Sequence, residues 1–573
     1  MGKLSSIVLA LAGILTLFPA VFAAQTFSTL VNFDGTDGKQ PIWTSLIQGP
    51  DANIYGTTHY GGNSDCIDQS GCGTVFKVSP SGDLTDLYLF CGSGDDCGGG
   101  FYPYGGLLLA TDGNLYGTTT DGGDYRGGTV FRITPEGSFA TVYNFCSLPH
   151  CADGGGPEGP LIQGEDGNLY GTTYDGGTST NCYGSGCGTV FKVTPQGLLT
   201  TLHSFDNGDG AYPMAGLVQA TDGNFYGTTL HGGHYANDSG TIFRVRPTGE
   251  FRILHLFCKV YPQCADGSQP FGGLIQGTDG NLYGTTSRGG ARDRGVVFQV
   301  SLEGKFTNLH SFVGTDGEEP EAGLAQGTDG KLYGTTTAGG DIGCDMEYGC
   351  GTLFSITSKG ELTSLHSFNI ADGYTPSSTL FQATNGVFYG STYEGGSNPC
   401  GGAGCGTVFG LDVGLAPFVS LVGQEAKVGS GEGILGQGFT GATKVSFHGT
   451  HADFKVVSDT LIKASVPSGA TTGYVTVSTP SGTLKSNKRF RVTPQLLSFD
   501  PPSGPVGTQV TITGVSLTQT QGVGFGDQIP AQFTVNSDTQ VTAIVPAGAK
   551  TGPIGIQTLG GKAISSTVFT VTQ

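Results

Sequence analysis

Fourteen cysteines fall into seven local pairs: Cys66/Cys72, Cys91/Cys97, Cys146/Cys151, Cys182/Cys187, Cys258/Cys264, Cys344/Cys350 and Cys400/Cys405. Two chemistries are open to them, oxidation to disulfides or capture of a metal. Zinc centres favour Cys-x2-Cys elements that meet a second such element, whereas these partners stand five or six residues apart. Disulfides are therefore expected and a metal is not, each bridge closing a short loop worth about 2 kcal/mol.

A second set of side chains could recognise a ligand. Just before a recurring Gly-Gly the residues change from copy to copy inside a constant frame: His59-Tyr60, Thr120-Asp121, Tyr174-Asp175, Leu230-His231, Ser287-Arg288, Thr337-Ala338 and Tyr393-Glu394. Tyr60, Tyr174, His231, Arg288 and Tyr393 are the candidate binding residues, able to stack on or hydrogen-bond a sugar or peptide. The alternative is drift at exposed loop tips. Tyr102, Tyr212, Phe271 and Tyr374 sit beside recurring prolines and are expected to pack under their loops. The single Trp, Trp43, speaks against an aromatic sugar platform.

Other reactive types are sparse. Asp37, Asp209, Asp266, Asp316 and Asp372 stand in Asp-Gly loops that raise calcium as an alternative, but they lack the alternating ligand spacing of a calcium loop, and Asx-turn chemistry accounts for them without a cation. No cofactor is expected. His203, His255, His310 and His366 share one position of the repeat, too far apart for a joint site, and are read as packing residues with a polar tip. Gln48, Gln163, Gln219, Gln276, Gln326 and Gln382 also recur and are expected to satisfy an adjacent turn. No Gly-x-Ser-x-Gly, His-Glu-x-x-His or Walker pattern occurs, so the sequence leans against an enzyme.

The elements that position these residues repeat seven times. Tyr-Gly-(Thr/Ser)-Thr begins at Tyr55, Tyr116, Tyr170, Tyr226, Tyr283, Tyr333 and Tyr389. In the third copy four strands are expected: a at Leu161-Gln163, b at Asn168-Thr173, c at Gly188-Val193 and d at Leu199-Phe205. Asp166-Gly167 turns a into b, and Pro195-Gln196-Gly197 turns c into d. The seventh copy stops after strand c, and Thr26 to Phe33 matches the missing d. The fold expected is all-β: a seven-bladed β-propeller of four-stranded blades, its ring closed by the N-terminal strand, followed by two immunoglobulin-like β-sandwich domains. In such a meander the b-to-c and d-to-a loops emerge together, so one face carries every cysteine pair and the varied positions.

Composition sets the compartment. The chain of 573 residues carries net charge −20 and 102 Gly, with the acid concentrated in the repeats, so nucleic acid is not an expected partner. Residues 1–23 read as a secretory signal, with Lys3, an apolar stretch and Val21-Phe22-Ala23 before the cleavage point. No cysteine lies near that point, which argues against a lipid anchor, and no later apolar run is long enough for a membrane span. A secreted or cell-surface, monomeric protein is expected. Its divisions are a propeller over 24–413 and sandwiches over 414–493 and 494–573.

The last two segments share phrases, Ser458-Asp459-Thr460 with Val466-Pro467 against Ser537-Asp538-Thr539 with Val545-Pro546. SFDPPSGPVGTQVTITG, starting at Ser498, resembles the IPT/TIG family of immunoglobulin-like domains, and the first segment resembles it more loosely. The repeat, with Asp166 to Thr173 and Gly188 to Lys192, resembles the Gloeo-Verruco (GloVer) tandem-repeat family. These resemblances imply exported repeat architecture with spacer or adhesive modules, and supply no catalytic residues. The function expected is binding or adhesion, with a polysaccharide or protein as extracellular partner. The alternatives are a propeller-fold lyase, hydrolase or lactonase, and a structural envelope component.

Overall fold

The computed structural model describes residues 25–573 except 44, 63–65, 67–69, 92–96, 183, 234–237, 261, 341–343, 345–347, 399 and 401–403. The signal segment expected at 1–23 lies outside the described residues. The chain is all-β. A single 3-10 turn, Pro149–Cys151, is the only helix among the described residues, and none is long and apolar enough to cross a membrane.

Residues 26–412 form seven four-stranded antiparallel sheets. In the third repeat a is Ile162–Gln163, b Leu169–Thr173, c Thr189–Val193 and d Leu199–Ser204, neighbours pairing in chain order. Strand b is buried along its whole length, which explains its fixed sequence. Tyr170 donates its hydroxyl to Asp166 Oδ2 of the a-to-b turn at 2.8 Å. Gly171 is required because a Cβ there would meet Phe191 Cζ at 2.7 Å and Leu161 Cδ2 at 2.9 Å, the two core side chains that close over it. Thr173 and Thr189 hydroxyls join b to c at 2.9 Å.

The seventh sheet takes its outer strand from the other end of the repeat region. Thr26–Asn32 pairs antiparallel with Thr407–Asp412, from Thr26 opposite Asp412 to Asn32 opposite Thr407. Consecutive sheets are joined by a recurring glutamine that makes two bonds. Gln163 accepts from the Thr111 N–H of the preceding repeat at 2.9 Å and donates to Gly167 O of its own turn at 3.1 Å. Gln219, Gln276, Gln326 and Gln382 repeat both bonds, and Gln48 accepts from Thr384 N–H at 3.0 Å, joining the seventh repeat to the first. The recurring glutamines therefore satisfy their turn and also staple neighbouring sheets.

Beyond the repeats, two pairs of sheets with the same strand order cover residues 420–492 and 495–571. Each pair encloses one apolar core, built around Ile434, Val445, Ile462 and Phe490 in the first and Ile512, Phe525, Val541 and Phe569 in the second. The first sits on the a-to-b turns of several repeats. Thr460 Oγ1 donates to Pro50 O at 2.7 Å, Phe418 N–H to Thr384 O at 2.9 Å, and Arg491 pairs with Glu165. The second is clamped to the first by Gln519, which accepts from Thr472 N–H at 2.8 Å and donates to Thr472 O at 3.1 Å.

Candidate functional site

At the other ends of the sheets the b-to-c and d-to-a loops meet in seven equivalent ladders. The second residue of each variable pair bridges the d-to-a loop that enters its own repeat: Tyr60 to Lys39, Asp121 to Phe101, Asp175 to Gly155, His231 to Ala211, Arg288 to Ser268, Ala338 to Glu318 and Glu394 to Tyr374. These positions are not drifting loop tips. Their backbone is pinned identically, and only the side chains change.

The residue preceding each recurring proline adopts a left-handed backbone in every repeat. Gln40, Tyr102, Tyr212, Gln269, Glu319 and Thr375 have φ between 54 and 59°, and Gly156 has φ 58°. Six of the seven are not glycine, at a cost of order 1 kcal/mol each, so the surrounding contacts hold them there. The contact is between repeats. Tyr102 N–H donates to Cys72 O at 3.0 Å, Tyr212 N–H to Cys187 O at 3.0 Å, Thr375 N–H to Cys350 O at 3.2 Å and Gln40 N–H to Cys405 O at 2.8 Å.

All seven cysteine pairs are disulfide-bonded as the spacing predicts: Cys66–Cys72, Cys91–Cys97, Cys146–Cys151, Cys182–Cys187, Cys258–Cys264, Cys344–Cys350 and Cys400–Cys405. Spacing treats the fourteen alike, and here the structure differs by giving them two tasks. The second cysteines of the b-to-c pairs, Cys72, Cys187, Cys350 and Cys405, accept from the following repeat, so those bridges brace the junctions. The second cysteines of the d-to-a pairs, Cys97, Cys151 and Cys264, instead bind the b-to-c loop of the repeat they enter. Their carbonyls accept from the second glycine of the Gly-Gly, Gly123 N–H at 3.0 Å, Gly177 N–H at 2.9 Å and Gly290 N–H at 2.9 Å. Both cysteines of these three bridges are left-handed, with φ between 33 and 61°, which folds the loop back far enough for its carbonyl to reach.

The kink before each proline aims the side chain after it into a small cavity of about 150 Å³. Trp43, Tyr104, Glu158, Met214, Phe271, Glu321 and Ser377 line it, one from each repeat. Trp43 takes the place because the first repeat has one residue more between its proline and the following leucine. Its ring stands 4.8 Å from Tyr104 and stacks on Phe271 of the fifth repeat at 5.5 Å. Phe271 thus belongs to the cavity and does not pack under its loop. The lone tryptophan, read from sequence as evidence against an aromatic sugar platform, lies against two other aromatic rings in this cavity.

A second cavity of about 700 Å³ opens over repeats 1 to 3. Tyr60, Tyr102, Tyr104 and Tyr174 line it together with Asp121, Glu158 and Asp175. Tyr102, expected beneath its loop, instead stands edge-on to Tyr60 at 5.1 Å, and Tyr174 stacks on Tyr212 at 4.7 Å. The carboxylates are close enough to disturb one another. Burial, with the charges of Asp175 and Asp121 adding, pushes Glu158 up to about 8, and burial with Asp121 pushes Asp175 to about 6. Burial and then Glu319 raise Glu321 to about 7. Glu158 Oε2 and Asp175 Oδ1 are buried with no hydrogen-bond partner among the described residues.

The five candidate binding residues divide. Tyr60 and Tyr174 share the large cavity, and Tyr393 lies close enough to Tyr60 for the two to interact electrostatically. His231 and Arg288 belong to other repeats and are held by acidic partners, His231 Nδ1 lying 3.1 Å from Asp238 Oδ2 and Arg288 Nη2 forming an ion pair with Glu319 Oε1 at 2.6 Å. Spacing alone missed Tyr104, Glu158 and Glu321. The signal that could have found them is the variable residue after the proline, inside a frame as constant as the one before Gly-Gly.

The recurring histidines occupy separate places, as expected. His203, His255, His310 and His366 face Asp209, Asp266, Asp316 and Asp372 at 2.8, 2.9, 2.8 and 3.1 Å. The same aspartates accept loop N–H groups, for example Asp206 N–H at 3.0 Å and Val313 N–H at 2.9 Å, which gives each a structural task without a cation. Three of the imidazoles stack on a phenylalanine of the adjoining sheet, His203 on Phe251 at 3.7 Å, His255 on Phe306 at 4.1 Å and His366 on Phe27 at 3.9 Å.

Comparison with known proteins gives a family and several distantly similar solved structures. A fungal alcohol oxidase in complex with copper is 13% identical over 79% of this chain and 98% of its own, with a TM-score of 0.46. A putative gluconolactonase is 12% identical over 70% of this chain and 95% of its own, with a TM-score of 0.33. A surface glycan-binding protein from Prevotella bryantii is 18% identical over 27% of this chain and 39% of its own, with a TM-score of 0.21. At these scores none carries an argument about this chain. No curated protein matches it. An IPT/TIG domain matches residues 494–572. The Gloeobacter/Verrucomicrobia repeat matches residues 13–184, 99–264 and 183–409, well over half of the chain, and the protein belongs to that family.

Proposed function

We propose that the protein is an extracellular binding protein. In this reading the seven sheets close into a seven-bladed propeller over 24–413, and the segments 414–493 and 494–573 are immunoglobulin-like spacers. Closure is supported by the pairing of Thr26–Asn32 with Thr407–Asp412 and by the Gln48 and Gln40 bonds to the seventh repeat. Seven disulfides suit an oxidising compartment outside the cytosol. The ligand is a polysaccharide.

The observation that carries the proposal is the aromatic cavity of about 700 Å³, on the loop face, with the first sandwich docked on the opposite turn face. A spacer attached to the turns leaves the loop face open, and a rigid scaffold bearing varied side chains is how binding surfaces are built. The tyrosine rings of this cavity give a sugar apolar stacking area and polar tips. The test is a polysaccharide and glycan array probed with the full chain, repeated with Tyr174→Ala. Binding that weakens in the variant is expected, and an array without any binding removes the proposal.

A second reading is favoured by one observation. Glu158, held largely protonated at neutral pH, has the state required of a general acid in glycoside cleavage. New reducing ends or unsaturated products from array-positive polysaccharides, absent with Glu158→Gln, would move the protein to a hydrolase or lyase.

A further inference from the structure

We propose that the cavity over repeats 1 to 3 takes an amine-bearing sugar, the protonated amino group of a polysaccharide seated between Tyr60, Tyr104, Tyr174 and the carboxylates of Glu158, Asp121 and Asp175. The inference deepens the binding proposal and rests on it. Two observations meet in one place. Four tyrosine rings line the cavity, and the π faces of such rings attract a cation most strongly where water is excluded. Glu158 Oε2 and Asp175 Oδ1, buried and without a hydrogen-bond partner among the described residues, are acceptors that an ammonium group, with its three N–H donors, can satisfy.

The alternatives fit less well. A uronate or sulfate would bring a further negative charge against the carboxylates of Asp121 and Asp175 and would hold Glu158 in its neutral form. A neutral hydroxylated or acetylated sugar brings no charge to match them. Arg126 also lines the cavity, but among the described residues it forms no ion pair with Asp121, Glu158 or Asp175. Burial first, and neighbouring carboxylates second, hold Glu158 and Asp175 toward their neutral forms, and an incoming ammonium would draw out the ionised forms that pair with it.

The experiment is titration calorimetry on the full chain with three probes: the glucosamine hexamer, the N-acetylglucosamine hexamer and the neutral glucose hexamer, cellohexaose. The glucosamine hexamer is expected to bind at least about tenfold more tightly than either of the others. Glu158→Gln and Asp175→Asn are each expected to lower that affinity about tenfold, with the melting temperature confirming the fold. Equal or tighter binding of the acetylated or neutral hexamer overturns the amine assignment and leaves the binding proposal standing. Binding of the glucosamine hexamer that ignores both substitutions and Tyr174→Ala, and vanishes in about 0.5 M salt, is diffuse attraction to an acidic protein and also overturns it. Silence of all three probes overturns it as well, and silence across the polysaccharide array removes both readings.

Discussion

Repeats 2 and 3 and repeats 5 and 6 present the same backbone to the same face and do opposite things with it. The ladder, the left-handed residue before the proline and the inter-repeat bond recur in both. In repeats 5 and 6 the side chains cancel one another, Arg288 against Glu319 at 2.6 Å and Arg294 against Glu318. In repeats 2 and 3 Asp121, Glu158 and Asp175 face each other across a tyrosine-lined cavity. The scaffold and the site are therefore separable. One is coded by the constant positions and the other by the variable ones.

The largest effect should come from breaking what the two sectors share. Deleting residues 24–33 removes the partner of Thr407–Asp412 and exposes an unpaired sheet edge, so the repeat region should lose its cooperative melting transition and aggregate. Calorimetry of the truncated chain decides this, and an unchanged transition would show that the seventh sheet does not depend on the N-terminal strand. Next in size are the strand b glycines. Gly171→Ala brings a Cβ to 2.7 Å from Phe191 Cζ and Gly284→Ala to 2.6 Å from Phe298 Cζ. Both should cost about 1–3 kcal/mol in urea denaturation, and by nearly the same amount, because the surroundings are equivalent. A large difference between the two would mean that the scaffold is not shared as described.

The sectors should part at the variable positions. Tyr174→Ala should weaken ligand binding by about tenfold with little loss of stability, since it removes one ring from the cavity wall. Arg288→Ala should leave binding within about twofold and cost no more than about 1 kcal/mol, the worth of an exposed ion pair. The reverse pattern would move the site to the fifth repeat.

The last test is of pH dependence, where the expected change is in a slope. Glu158 is raised to about 8, Glu321 to about 7 and Asp175 to about 6, each mainly by burial. The folded state favours their neutral forms, so their stabilising contribution is complete below the ordinary carboxyl range and is lost as pH rises to 8. While one such group titrates, stability should fall by up to about 1.4 kcal/mol per pH unit. Glu158→Gln should flatten the upper part of that decline in a urea series between pH 5 and 9. An unchanged slope would mean that Glu158 is already ionised at neutral pH.

Much of the scaffold was legible along the chain. Strand d of the third repeat was expected at Leu199-Phe205 and is Leu199–Ser204, because alternation of apolar residues is a local signal that the sheet simply obeys. The seven cysteine pairs were legible for the same reason, since a partner five or six residues away in a loop needs no long-range fold to find it. Their division of labour was not. Cys350 reaches the next repeat while Cys97 and Cys264 stay with their own, and that depends on which loop lies above each carbonyl. The site was legible only in part. Tyr60 and Tyr174 stood out by varying within a fixed frame, but His231 and Arg288 stood out equally and turn out to be held by Asp238 and Glu319. Glu158 and Trp43 gave no sign of their importance.

By itself the sequence determined the number of repeats, the four strands of a repeat as read in the third copy, and the pairing of the N-terminal segment with the seventh copy. These follow from hydrophobic alternation and turn residues within a few positions of one another. Only the tertiary structure decided that the residue after each proline turns inward, and that Asp121, Glu158 and Asp175 meet. It also decided that the first sandwich covers the turn face and not the loop face. Convergence of this kind depends on the rotation between successive sheets and on a left-handed kink at Tyr102 and its equivalents, and neither is written in the spacing of residues along one strand.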